Sequence, residues 1–354
     1  MIEWAMRFFP RHALPAALAC LWTVTAAADL RAEENGLGGT FTLQLENDKF
    51  VGTDRHYTHG TRLAWVWDDE ARVPGWIGNL MERAYFFSTP KRKQLGLAVG
   101  QNIYTPEDTL STGLIADDRP YAGWSYLGLS LHAEVDTPLF SRRLTALDTV
   151  ELNFGLVGPQ SYAREAQNTI HRTIGTDEAQ GWDHQLKNEP TINLTMARKW
   201  RLPLYGGKAE DRYLAWDALP HLGASAGNVL TNANAGFTLR FGHDLKRDYG
   251  PPQIQPNLPG RASFDTFEDS DALGWYLFAG AEGRYVARNI FLDGNTFADS
   301  PSVTRIPWTA DLRLGAVVTY GRVRIALVQA LRTREFEGQR QDDRFGALTM
   351  TVRF

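Results

Sequence analysis

Gln167 and His171 stand four residues apart in SYAREAQNTIHRTIG, Ser161–Gly175, where Ala163, Ala166, Ile170 and Ile174 repeat at helical spacing. Four residues is about one helical turn, so the amide and the imidazole share a face. A neutral imidazole can take a proton from water near physiological pH, and an amide one turn earlier can orient that water or a polar group of a substrate. The bland alternative for His171 is a loop histidine that only packs or hydrogen-bonds. Nearer the N-terminus, Glu46, Asn47 and Asp48 gather the hard oxygen donors that calcium takes. The same triplet also suits a turn at a strand end, which Asn and Asp favour. DDRPYAGW adds Asp117, Asp118 and Arg119. Arg119 can hold a phosphate or a carboxylate bidentately, or pair with its acidic neighbours and brace the loops. The zinc pattern H-E-x-x-H is absent. An activated water attacking an ester is the chemistry these groups would support.

The elements that must position these groups alternate. In GTFTLQLEND, Phe41, Leu43 and Leu45 oppose Thr40, Thr42, Gln44 and Glu46. In the last strand Leu348, Met350, Val352 and Phe354 oppose Ala347, Thr349, Thr351 and Arg353. Val323, Ile325, Leu327 and Leu331 oppose Arg322, Arg324 and Arg332. An arginine at every second position does not suit the dry inner face of a soluble β-sandwich, the alternative all-β reading. It suits the wet lumen of a membrane barrel. The pattern predicts an all-β, antiparallel, up-and-down transmembrane barrel of about twelve strands. They fall at about 39–48, 57–67, 94–103, 121–135, 147–158, 190–204, 213–229, 232–243, 272–287, 305–320, 321–334 and 343–354, with a short helix in one external loop. Tyr57, Trp65, Trp67, Trp124 and Trp275 are expected in interfacial aromatic girdles.

Residues 1–28 read as a signal peptide: Arg7 and Arg11 precede the apolar Ala13–Val24, and AAAD offers a cleavage site. Residues 29–354 then form one domain. The single cysteine, Cys20, lies in the leader, which leaves no disulfide chemistry to the rest. The formal net charge is −4, an acidic balance that argues against a nucleic-acid partner. No run of 18 apolar residues marks a membrane helix, a test that barrel strands escape.

With both termini periplasmic, the first three external loops hold Glu46–Thr58, Tyr104–Trp124 and Gly158–Glu189. They belong to consecutive hairpins and meet on one side of the mouth. One external site there is expected in preference to a pore, with the helix folded on the outer-leaflet rim and walling off a cleft open to lipid.

At these residues the chain resembles the outer-membrane lipid A 3′-O-deacylases and their relatives. The resemblance rests on ENDKFVGTDRHYTHG, GQNIYTPED, DDRPYAGWSYLGL, LNFGLVGPQSYAREAQNTIHRTIG and GWDHQLKNEP, in family order over residues 46–190. It implies a twelve-stranded outer-membrane barrel and calcium-dependent hydrolysis of the ester-linked 3′ acyl chains of lipid A, with a histidine as base. The family's asparagine–aspartate pair falls on Asn47 and Asp48, and its glutamine and histidine on Gln167 and His171. A family acidic residue shortly after the histidine falls on Asp177 or Glu178. The expected site therefore has His171, Asn47, Asp48 and Gln167 as catalytic groups. Arg119, Asp118 and Thr58 are the substrate-binding candidates, and Asp48, Asn47 and Glu46 the Ca2+ ligands. The partner is lipid A or lipopolysaccharide in the outer leaflet, met by a monomer. The alternatives are an outer-membrane phospholipase and a non-enzymatic structural or channel barrel.

Overall fold

The computed structural model describes residues 38–48, 56–68, 75, 90–139, 141–205, 214–251 and 273–354. The expected leader lies outside them. The strands are β1 (Gly39–Asn47), β2 (His56–Trp67), β3 (Arg92–Thr105), β4 (Ala122–Leu139), β5 (Arg142–Val157), β6 (Glu189–Trp200), β7 (Leu202–Tyr205), β8 (Ala215–Gly227), β9 (Leu230–His243), β10 (Gly274–Asn289), β11 (Trp308–Tyr320), β12 (Val323–Arg332) and β13 (Asp343–Arg353). β7 continues β6 beyond Arg201, and both pair with β8, so the segments form twelve staves. Sequence neighbours pair antiparallel, and β1 closes on β13 with Phe41 opposite Val352. The result is the closed antiparallel barrel that the alternation predicts, and closure removes the sheet edges that would expose unpaired backbone to lipid.

Burial runs opposite to that of a soluble protein. Leu97, Val99, Leu127, Phe154, Leu312 and Leu314 are exposed on the outer face. Charged groups fill the lumen, where isolated charges would be costly and are therefore paired. Arg62 grips Glu151 bidentately at 2.9 and 2.8 Å. Arg284 and Arg332 share Asp311 at 2.8–2.9 Å. An apolar exterior around a charged interior is the signature of a barrel in a bilayer.

Trp65 packs on Phe354, and Trp216, Phe241 and Trp275 form a second cluster at the same, turn-side end. Tyr57 and Trp124 differ from their girdle expectation. Both face the lumen: the Tyr57 hydroxyl donates to Glu46, and Trp124 stacks on Tyr126 at 4.2 Å. Phe291, in the short helix α2 (Ile290–Asp293), is fully buried and stacks on Tyr104 at 3.9 Å. These rings fill the lumen near the outer mouth. The site helix itself, α1 (Ala163–Ile174), follows a 3-10 turn at Pro159–Ser161. Tyr162, in the left-handed region at φ 56°, separates the two, which is why the regular helix starts after the Ser161 of the sequence pattern.

Candidate active site

α1 lies against the outside of the barrel wall, on β3 and β4. Along the outward face of β3 the sequence runs Leu97, Val99, Gln101, Ile103, so polarity enters where the helix begins. Gln101 Nε2 and Ser125 Oγ each donate to the Ser161 carbonyl at 2.7 Å. Gly123 lets the backbones approach, since a Cβ there would lie 2.1 Å from that of Ala163. Ile103, Tyr121, Ala163, Ala179 and Trp182 form one buried cluster beneath the helix. Ala163, Gln167 and His171 are the stripe that α1 buries, while Arg164, Glu165, Thr169 and Arg172 stay exposed. The buried stripe is thus turned from the Ala163, Ala166, Ile170 and Ile174 of the sequence pattern and carries both polar candidates inward.

Each of the two is fixed at one atom. Trp182 Nε1–H donates to Gln167 Oε1 at 2.8 Å, and a tryptophan nitrogen can only donate. Gln167 Nε2 is buried with no partner among the described residues. His171 Nδ1 lies 2.6 Å from the Asp177 carbonyl. A carbonyl only accepts, so Nδ1 carries the proton and Nε2 is the basic nitrogen. This contact depends on the chain reversal at Gly175, φ 72°, where Thr176 N–H bonds the His171 carbonyl at 2.9 Å and Gly175 N–H bonds that of Arg172. That pair of bonds is a Schellman cap. The orienting group at position 177 is thus the backbone, while the side chain is exposed. Glu178 pairs with Arg172 at 3.0 Å.

Strand register places the N-terminal candidates. Asn47 lies opposite His59, His59 opposite Ile103, and Ile103 opposite Gly123. Strands are about 4.8 Å apart, so Asn47 is roughly 10 Å along the wall from the floor of α1, on the same face. Asp48, just past the strand, is buried. Glu46 has the opposite parity: it is buried with Tyr57 and Gln44 on the lumenal side, away from Asn47. Thr58 sits at a bulge between β2 and β3 and meets Thr105 Oγ1 at 2.7 Å. Among the described residues no group of three or more acidic, histidine or cysteine side chains is placed to hold a metal.

Asp118 and Arg119 belong to a different cluster, at the mouth. The Arg119 guanidinium is buried over Tyr104 and Phe336, bonded to Glu335 at 3.0 Å and the His56 carbonyl at 3.1 Å. This is the bracing arrangement, joining the second external loop to the last one. Asp118 accepts from the backbone N–H groups of Glu107 and Arg119, both at 2.7 Å, and faces His56. Burial alone would raise its carboxyl, but these donors outweigh it and hold it below the usual carboxylate range. Sequence reasoning gave Trp182 and Gln101 no role; the only trace was the place of both in the quoted motifs. A G-x-S-x-G pattern, Gly223–Gly227, lies within β8, where Ser225 is buried beside Thr195 Oγ1 at 2.9 Å and forms no nucleophile elbow.

A family model described as outer membrane protein LpxR matches residues 14–354. Among solved structures, LpxR from Salmonella typhimurium is similar at 20% identity and TM-score 0.69, over 89% of this chain and 100% of that one. The β-domain of the Bordetella autotransporter BrkA follows at 10% identity and TM-score 0.43, over 90% and 100%. No curated protein matches the sequence.

Proposed function

The chain belongs to the LpxR outer-membrane protein family, and from that premise we propose that it is an esterase removing 3′ ester-linked acyl chains from lipid A in the outer leaflet. One observation carries the reading. On a single buried helix stripe, His171 offers a basic Nε2 and Gln167 a donor Nε2, each side chain pinned at its other end.

His171 Nε2 takes a proton from water as the oxygen attacks the ester carbonyl. Gln167 Nε2–H donates to the tetrahedral oxyanion that forms. Collapse breaks the bond to the sugar oxygen, which takes the proton back from the imidazolium. The products are a free fatty acid and a sugar hydroxyl. Asn47 and Asp48 bring an amide and a carboxylate oxygen to the strand end, donors of the kind calcium takes, while Glu46 is engaged by Tyr57 on the lumenal side. Bound calcium would polarise the ester carbonyl. Ile103, buried under α1, walls the site on one side, while the exposed Val99 and Leu127 lower on the wall give an acyl chain an apolar surface. A channel is the poorer reading, because paired arginines and Phe291 occupy the lumen.

The test is lipid A mass in cells lacking the chromosomal gene and supplied with either version of the protein. Wild type should remove the 3′ acyl mass and His171→Ala should not. With purified protein, His171→Ala should slow acyl release roughly a hundredfold while the barrel stays folded. Identical lipid A from both strains would defeat the proposal.

A further inference from the structure

His59 has no part in the chemistry above, yet it stands in the site. Its parity on β2 is that of the outer wall, between Asn47 on β1 and Ile103 on β3. Facing side chains on neighbouring strands have Cβ atoms about 4.5–5.5 Å apart. His59 therefore adjoins both a catalytic candidate and the floor of α1, where Ile103 packs with Ala163 and Trp182. The ring is anchored on one side only: Nε2 meets Thr61 Oγ1 at 2.6 Å. Nδ1 is buried and has no partner among the described residues. Below it on the same face come Thr61, which holds the other ring nitrogen, and Gln101, which is bonded to the Ser161 carbonyl, and then the apolar Leu63 and Val99. A buried nitrogen without a partner is costly, and a ligand supplying a donor recovers that cost.

We infer that His59 is a specificity residue of the hydrolytic site: with Nε2–H given to Thr61, its Nδ1 accepts a hydrogen bond from an amide N–H or hydroxyl beside the scissile ester. This rests on the ester-hydrolase reading and narrows its substrate class. An acylated amino sugar presents such donors next to its esters. A diacyl phosphatidylcholine presents only oxygens that accept, and would leave Nδ1 buried and unpaired. Sites built around a substrate donor discriminate strongly against analogues lacking it.

The test separates binding from turnover. In a His171→Ala background, detergent-purified protein is titrated with purified lipid A and, separately, with dipalmitoyl phosphatidylcholine. His59→Phe, which keeps a ring but removes both nitrogens, should weaken lipid A binding about tenfold and leave phosphatidylcholine binding unchanged. His59→Asn, whose Oδ1 reaches the place of Nδ1, should restore most of the loss. With His171 intact, His59→Phe should raise KM and hold kcat within about threefold. Lipid A affinity within twofold of the parent overturns the inference, as does an equal loss for both lipids or no rescue by Asn. Should His59→Phe not fold, Thr61→Val releases the ring and must itself weaken lipid A binding for the inference to stand. A wild-type protein that binds lipid A through His59 but releases no fatty acid would refute the hydrolase reading alone.

Discussion

Replacing Gly175 isolates the orientation of His171 from the rest of the site. The residue sits at φ 72°, and a Cβ built on it meets nothing within 4 Å, so a side chain there clashes with no neighbour. The whole effect is conformational: holding an L-residue in the left-handed region costs roughly 1–2 kcal/mol, and more when it is β-branched. Gly175→Val places that cost on the reversal that returns the Asp177 carbonyl to His171 Nδ1. As 1.4 kcal/mol corresponds to a factor of ten, ester cleavage should fall by about tenfold. Gly175→Asn, which tolerates this conformation, should stay within about twofold of wild type. The barrel's unfolding midpoint should not move, because no strand pairing passes through residue 175. The assay is the initial rate of fatty-acid release from lipid A in detergent, run alongside heat-modified gel mobility as a folding check. A Val variant at wild-type rate, or an Asn variant as slow as Val, would refute the orienting role of the cap.

Arg119→Met should destabilise the mouth by roughly 3 kcal/mol, the low end for a broken buried ion pair, because Arg332 still reaches Glu335 at 3.6 Å; denaturant unfolding of the refolded barrel reads this. The Asp118 carboxyl is depressed in the folded protein, so its contribution is complete above the ordinary carboxylate range and is lost as pH falls through the folded value. Hydrogen-exchange protection of residues 106–121 should therefore hold from pH 7 to about 5 and vanish only at stronger acidity, whereas Asp118→Asn should lower it already at pH 7. Chelation should abolish hydrolysis and added calcium restore it in wild type, with Asp48→Ala unable to respond; full activity in excess chelator would exclude the metal role of Asn47 and Asp48.

What the sequence determined by itself was local and periodic. Apolar and polar residues alternating with period two specify which face each strand shows to lipid, and the observed Gly39–Asn47, Arg92–Thr105 and Val323–Arg332 follow that pattern. Helical spacing likewise put Gln167 and His171 on one face, and the structure buries that face together with Ala163. Parity alone turns Trp124 toward the lumen, as it does Glu46, whereas Tyr57 reaches the lumen only through the bulge at Thr58, which no alternation announces. Other features required the closed chain. Arg119 meets Glu335 across 216 residues of sequence, and His56 meets Asp343 across 287. No local pattern could tell a bracing arginine from a substrate-binding one. Trp182 fixes Gln167, and the Asp177 carbonyl fixes His171, through a loop whose path depends on packing against Tyr121 and Ile103. Strand faces are set by each residue's own backbone geometry and its immediate neighbours, so sequence carries them. The free nitrogen of His171, the free amide of Gln167 and the company of His59 depend on which distant groups occupy the remaining hydrogen-bond positions, and only the tertiary structure decides that.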